Sequence, residues 1–390
     1  MNDLCTDVGS LSVNKHGEPL CGDHVEIVWQ NDNSLIMVLA DGLGSGVKAN
    51  ILSTLTAKII STMMANNMSI ENCVTTVAST LPVCETRGIA YSTFTIIQVI
   101  DSRQAQVIQY DNPHVVFLRN GINCDYDKHQ LQIGDKTIYK SIIDLSPGDV
   151  LVAMSDGAVY AGVGKSLNFG WQRQNIVEFL EAFYESSSSS KMISTILLDQ
   201  CVRLYGGEPG DDTTVAAVKI RRRQPINILI GPPADPADDN RMLSTFFVKE
   251  GKHVVCGGTT AFLAAGYLGR EIVTELNYVD PDIPPASKIE GVDLVTEGVV
   301  TINRVLRYVN NYQKDNDCYL EWSTRKDAAS MITKLLLEEA TDINFYVGKA
   351  INSAHQNPNL NIHFSIKMRL IEELSETLRS IGKQVNVEYF

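Results

Sequence analysis

Apolar residues in the first 220 positions come in short dense runs separated by polar turns. Ser34 to Ala40 (SLIMVLA) is apolar at successive positions and stops at Asp41. Such a run predicts a strand buried on both faces. Ser92–Ile100, Ala105–Tyr110, His114–Leu118, Val150–Met154 and Thr213–Ile220 are β-branched-rich and predict further strands. The turn pairs Asn120-Gly121 and Pro147-Gly148 punctuate them. Apolar positions at helical spacing mark Val47–Asn66, Ile70–Leu81, Asn175–Tyr184 and Met192–Leu204, the last after a serine run, Ser186–Ser190, that suits a loop and cap. Many strands with helices in pairs predict an α+β fold, a β-sandwich flanked by helices.

The pattern changes at Arg221-Arg222-Arg223-Gln224-Pro225, which predicts a linker between a domain spanning 1–222 and another spanning 226–390. Beyond it, strand and helix alternate. Ile226–Ile230 and His253–Cys256 predict strands, and Pro236–Lys249 and Thr259–Tyr267 predict helices. Ser287–Asn311 and Lys326–Ala340 predict two more helices, and strands at Ile362–Ile366 and Val385–Tyr389 frame a helix over Met368–Ile381. The expectation is a smaller α/β layered domain.

Composition narrows the function. With 44% hydrophobic and 20% charged residues, the chain has a globular make-up, and no apolar run reaches the length of a membrane span. The start, Met1-Asn2-Asp3-Leu4-Cys5, has no secretory character, so the expected location is cytoplasmic. The eight cysteines show no C-x-x-C spacing, which argues against a zinc site and a disulfide framework. A net charge of -13 disfavours nucleic acid and favours metal cations as partners.

Four aspartate positions share one context, the end of an apolar run beside a tight turn. They are Gly22-Asp23, Asp41-Gly42-Leu43-Gly44-Ser45-Gly46, Ser155-Asp156-Gly157 and Gly210-Asp211-Asp212-Thr213-Thr214. A lone Asp-Gly pair usually only makes a turn. Four at strand mouths argue for one carboxylate site, which like charges permit only when cations neutralise them. Carboxylate and carbonyl oxygens are what Mg²⁺ and Mn²⁺ prefer.

With Ser92-Thr93-Phe94 and Asp111-Asn112-Pro113 added in order, the series resembles the motifs of the PPM-type metal-dependent serine/threonine phosphatases, closest to their bacterial SpoIIE-type branch. The resemblance spans about residues 8–220 and implies an α-β-β-α sandwich with two Mn²⁺ or Mg²⁺ ions between the sheets. It assigns Asp41 to both ions, Asp156 and Asp211 to one, the Gly42 carbonyl to the other with Asp23 nearby, and Asp212 to a supporting place. The implied chemistry is attack of a metal-bridging hydroxide on phosphoserine or phosphothreonine of a partner protein, an anti-sigma-factor antagonist being a substrate typical of the family.

Some family features are absent. Leu43 stands where many relatives carry a histidine, and only Lys15 and His16 lie where a phosphate-gripping arginine is common. His24 and His114 read as surface or satisfied core histidines. Rival readings are a degenerate phosphatase-fold binding protein and a dinuclear-metal hydrolase of small phosphate esters. For 226–390 the expectation is a regulatory or substrate-recruiting unit. Its strand-to-helix turn Gly257-Gly258-Thr259-Thr260 suits a small anionic ligand, and Ile289–Gly298 suits a helix entry or pocket. A homodimer is left open.

Overall fold

The structure, a computed structural model, describes residues 3–80, 92–134, 136–274, 280–312, 317–350 and 363–390. The chain divides into two compact units, Met1–Arg222 and Arg223–Phe390.

The first unit opens with strands β1 (Leu4–Val13), β2 (Asp23–Asn31) and β3 (Ser34–Gly42), then helices α1 (Gly46–Ala65) and α2 (Ile70–Thr80). Strands β4 (Ser92–Ile100), β5 (Gln104–Tyr110), β6 (Val116–Arg119), β7 (Ile122–Asn123), β8 (His129–Ile133), β9 (Lys136–Asp144) and β10 (Val150–Met154) follow. The short α3 (Asp156–Val159), then α4 (Arg173–Phe183), α5 (Ser190–Leu204) and β11 (Thr213–Arg222) complete the unit. Ser189 caps α5, its hydroxyl accepting from the Met192 amide at 3.2 Å.

Two antiparallel sheets result, one in the order β1-β11-β10-β6-β7 and one in the order β2-β3-β4-β5-β9-β8. Side-chain alternation explains the uninterrupted apolar runs. Leu35, Met37 and Leu39 of β3 meet Leu151 and Ala153 of β10 and Ala216 and Val218 of β11 in the core between the sheets. Their alternates Ile36, Val38 and Ala40 pack under α1 and α2. On the other sheet Val150, Val152 and Met154 pack under α4 and α5. The layering is therefore α-β-β-α, the arrangement the motif series implies, with each central strand buried on both faces.

The second unit contains β12 (Pro225–Ile230), a 3-10 turn at Pro236–Asp238, α6 (Asp239–Phe247), β13 (Lys252–Cys256) and α7 (Gly258–Leu268). A short antiparallel edge, β14 (Val273–Thr274) and β15 (Ser287–Ile289), leads to β16 (Val292–Thr296). Helices α8 (Val299–Tyr312), α9 (Asp317–Ser323) and α10 (Ala328–Lys334), a π-helical turn at Leu335–Glu339, strand β17 (Asp342–Val347), α11 (His363–Ser380) and β18 (Gln384–Tyr389) follow. The sheet order is β14-β15-β16-β13-β12-β17-β18, and the strands from β16 to β18 are parallel. Leu229 and Val255 pack beneath α6 and α7. The alternating Ile228, Ile230 and Val254 are equally buried on the opposite face.

Three sequence expectations fail, two in this unit and one at its boundary with the first. Ser287–Asn311 is not one helix: Gly291 turns at φ 94°, and β15 and β16 form a hairpin around it before α8 begins. The stretch 362–366 is not a strand, since α11 already starts at His363, and position 362 lies outside the described residues. Arg221 and Arg222 are not linker but strand, paired with Cys5 and Leu4, and Pro225 opens β12, leaving Arg223 and Gln224 between the strands.

Candidate metal centre

The site residues follow from the same alternation that builds the core. Inward positions on β3 run Leu35, Met37, Leu39, so Asp41 also faces the inter-sheet space. Asp23 is its direct cross-strand partner. On the opposing sheet the inward positions of β11 and β10 continue to Thr214, Asp212 and Ser155. These rows run off the end of the apolar core, and polar groups from both sheets meet there.

Backbone bonds fix the two rims. On one, the Gly42 amide donates to the Gly22 carbonyl at 3.2 Å, and the Ser92 hydroxyl donates to the Asp41 carbonyl at 2.8 Å. On the other, the Ser155 amide donates to the Thr214 carbonyl at 3.0 Å, and the Thr214 amide donates to Ser155 Oγ at 2.9 Å. Asp156 is thereby held at the start of α3, directly after β10. Glycines permit the close approach. A Cβ on Gly42 would run into the Ala49 carbonyl of α1, and one on Gly157 into the Asp212 carbonyl.

Electrostatics mark the cluster as one unit. Burial pushes the Asp23 carboxyl up to about 7 and the Asp41 carboxyl up to about 9, and neighbouring carboxylates add to both. Asp156 and Asp211 are also raised, again chiefly by burial. Asp41 feels Asp23, Asp156 and Asp211, and Asp156 feels Asp111. Asp23 is 4% exposed, and the nearby hydroxyls of Ser155 and Thr214 complete no hydrogen bond to either of its carboxylate oxygens. Asp212 holds the Lys15 amide with Oδ1 at 2.9 Å, while its buried Oδ2 has no partner. Among the described residues, no three His, Cys, Asp or Glu side chains are already drawn into a metal-coordinating group. Orphaned, desolvated carboxylate oxygens from both sheets are nonetheless the donor type a hard divalent cation requires, so the residues fit such an ion.

Two further groups reach this end of the sandwich. Lys15 brings its ammonium 4.0 Å from the Asp211 carboxylate. Glu18 accepts from the Ser45 hydroxyl at 3.1 Å, beside Gly46 at the start of α1. Lys15 was visible in the sequence only as a basic residue of unassigned register, and nothing in the local pattern pointed to Glu18. Asp111 sits at φ 54° between β5 and β6, and its neighbour Asn112 accepts from the Thr93 hydroxyl at 2.6 Å, which ties that turn to β4. His24 and His114 have partners of their own. His24 pairs with Glu26 at 3.2 Å, and His114 meets the Gln109 side chain at 3.3 Å and the Tyr139 ring edge.

Residues 31–221 match the family model described as Stage II sporulation protein E (SpoIIE). The Stage II sporulation protein E of Priestia megaterium is 22% identical over 237 residues, covering 56% of this chain and 37% of that protein. That of Bacillus subtilis (strain 168) is 23% identical over 232 residues, covering 58% of this chain. The chain spans only 27% of the length of the latter. Among solved structures, the PP2C phosphatase domain of Bacillus subtilis SpoIIE with a fragment of its regulatory domain aligns at 21% identity with a TM-score of 0.48. That alignment covers 57% of this chain and 65% of the other.

Proposed function

The first unit carries a SpoIIE-type domain of the PPM phosphatase group, and from that premise we propose that the chain is a metal-dependent protein serine/threonine phosphatase. The observation that carries the proposal is the set of desolvated carboxylates supplied by both sheets, with unpartnered oxygens on Asp23 and Asp212. Asp41, Asp156 and Asp211, with Asp23 and the Gly42 carbonyl, are the residues that would hold two Mn²⁺ or Mg²⁺ ions. Bound there, the ions would supply Lewis acidity and a hydroxide nucleophile at neutral pH.

The protein's own groups do the rest. Asp41 and Asp23 stay close together because cross-strand pairing forbids them to separate. Lys15 offers a positive charge at the rim, where the negatively charged phosphoryl group docks. Leu43, 37% exposed, brings no proton donor to the turn after Asp41.

The substrate class is phosphoserine or phosphothreonine on a partner protein in bacterial signalling, such as an anti-sigma-factor antagonist, and the location is the cytoplasm. No helix among the described residues is long and apolar enough to cross a membrane. The unit formed by Arg223–Phe390 regulates the reaction or recruits substrate. The test is hydrolysis of phosphoserine peptides by the full chain with Mn²⁺, with Mg²⁺ and with EDTA, set against free nucleotides. Metal-dependent release of phosphate from peptides supports the reading. Turnover of nucleotides alone replaces it with a small-ester hydrolase, and no turnover of either replaces it with a binding protein.

A further inference from the structure

In the second unit the parallel strands lie in the order β16-β13-β12-β17-β18. From β12 the chain first builds outward through β13 to β16, then crosses to the other side of β12 to add β17 and β18. The reversal between β12 and β17 is a topological switch point. In open α/β sheets such a point leaves a crevice at the carboxyl ends of the strands, and ligands bind there.

Here the strand ends are marked by glycines. Gly231 follows β12, Gly257 follows β13, Gly348 follows β17, and Gly298 stands just beyond β16. The strand ends are tied together: the Gly348 amide donates to the Ile230 carbonyl at 2.9 Å, the Gly257 amide to the Thr296 carbonyl at 2.8 Å, and the Gly231 amide to Thr260 Oγ1 at 2.9 Å. A Cβ on Gly348 would strike the Pro232 carbonyl, so this close approach needs glycine.

The crevice has a cationic and an anionic end. Lys367 of α11 brings its ammonium against Gly231 and donates to the carbonyls of Gly348 and Ala350. It is half-buried, and burial holds its pKa below the usual lysine range. At the start of α7 the Glu297 carboxylate comes within 3.7 Å of where a Gly258 Cβ would sit. Thr301, in the first turn of α8 beyond Gly298, is fully buried, yet its hydroxyl has no hydrogen-bond partner.

We propose that this crevice is a mononucleotide site, with the phosphate on Lys367 and the sugar hydroxyls on Glu297. The Lys367 ammonium supplies the positive charge that a phosphate needs. A carboxylate only accepts hydrogen bonds, so at the far end it recognises hydroxyls and repels a second phosphate. That combination selects a nucleoside monophosphate over both inorganic phosphate and an uncharged nucleoside.

The experiment is calorimetric titration of the full chain in EDTA, so that the aspartates of the first unit hold no ions. The titrants are AMP, with adenosine and inorganic phosphate as separate arms. AMP binds saturably, and Lys367→Met weakens it about tenfold or more. Glu297→Gln weakens AMP and leaves inorganic phosphate unchanged. Gly258→Val, whose Cβ has only one neighbour within 4 Å, keeps the melting temperature but blocks AMP. Asp41→Asn leaves AMP binding intact. The proposal is overturned by absence of saturable AMP binding, by AMP binding that survives both Lys367→Met and Gly258→Val, or by inorganic phosphate or adenosine binding as tightly as AMP.

Discussion

Asp23 and Asp41 face each other directly across the β2–β3 ladder, in a space 4% open to solvent at Asp23. Two carboxylates in such a pairing repel each other unless a proton or a cation intervenes. Removing one charge should therefore help the metal-free fold while harming catalysis. Asp41→Asn is expected to lower phosphatase turnover about 10³-fold, as loss of a metal-bridging carboxylate would. The same variant should melt a few degrees higher than wild type in EDTA, on the order of 2–4 °C per kcal/mol relieved. Full activity in a folded Asp41→Asn protein would sink the site assignment.

The raised carboxyls also set a pH dependence. Asp23 and Asp41 titrate near 7 and 9 in the folded chain but near 4 when unfolded. Between those values the native state binds more protons, so their contribution is whole below about pH 4 and is lost as pH rises towards about 9. Thermal melts in EDTA should show stability falling from pH 5 to pH 9. Saturating Mg²⁺ should flatten the decline, because an ion that binds only the native state takes the proton's place. A melting temperature independent of pH and of Mg²⁺ would refute the cation site.

Lys15 gives a separable effect on substrate. Its amide, not its side chain, holds Asp212, so Lys15→Met leaves that bond in place. Loss of the ammonium should raise KM for a phosphopeptide about tenfold or more, the worth of one charge-assisted hydrogen bond. Apparent affinity for Mn²⁺ should not weaken, and Lys15→Arg should restore KM. Unchanged KM in Lys15→Met would remove Lys15 from substrate binding.

Gly42 tests the packing beneath the site. Gly42→Ala forces a methyl into the Ala49 carbonyl, and overpacking of this kind costs about 1–3 kcal/mol. The urea midpoint should fall accordingly. Gly134→Ala, where the space is open but φ is 61°, tests backbone strain alone and should cost less.

The sandwich was legible where strands are buried on both faces. Leu35 to Leu39 and Val150 to Met154 are apolar at every position because each side chain enters a core. Strand β1 was not read, since Thr6, Asp7, Ser10 and Ser12 interrupt it, yet it pairs with all of β11. Strands β8, at the sheet edge, and β9, between it and β5, escaped for the same reason, since polar residues interrupt both. In the second unit Ser287–Asn311 passed for one helix because Val292, Leu294 and Val295 also fit a helical period. The pairing of β15 with β16 around Gly291, at φ 94°, reveals the hairpin. The acidic motif residues were readable from their places beside glycines at strand ends. The nearness of Lys15 to Asp211 was not, because it joins positions 196 residues apart through β1–β11 pairing.

The pairing of Asp23 with Asp41 makes the β2–β3 hairpin intolerant of length changes along most of its extent. From Asp23 to Trp29 the ladder is continuous, and its one irregularity falls between Trp29 and Asn31, at the turn end. One residue inserted before Trp29 would exchange the faces of everything between it and the site, sending Asp23 outward or Val25 and Ile27 out of the core. One residue added at Asn31–Asn33, beyond that irregularity, would be taken up by the turn. Insertions and deletions in this hairpin should thus be accepted only at its tip, and a deletion scan scored for folding would trace the site's position from the opposite end of the strand.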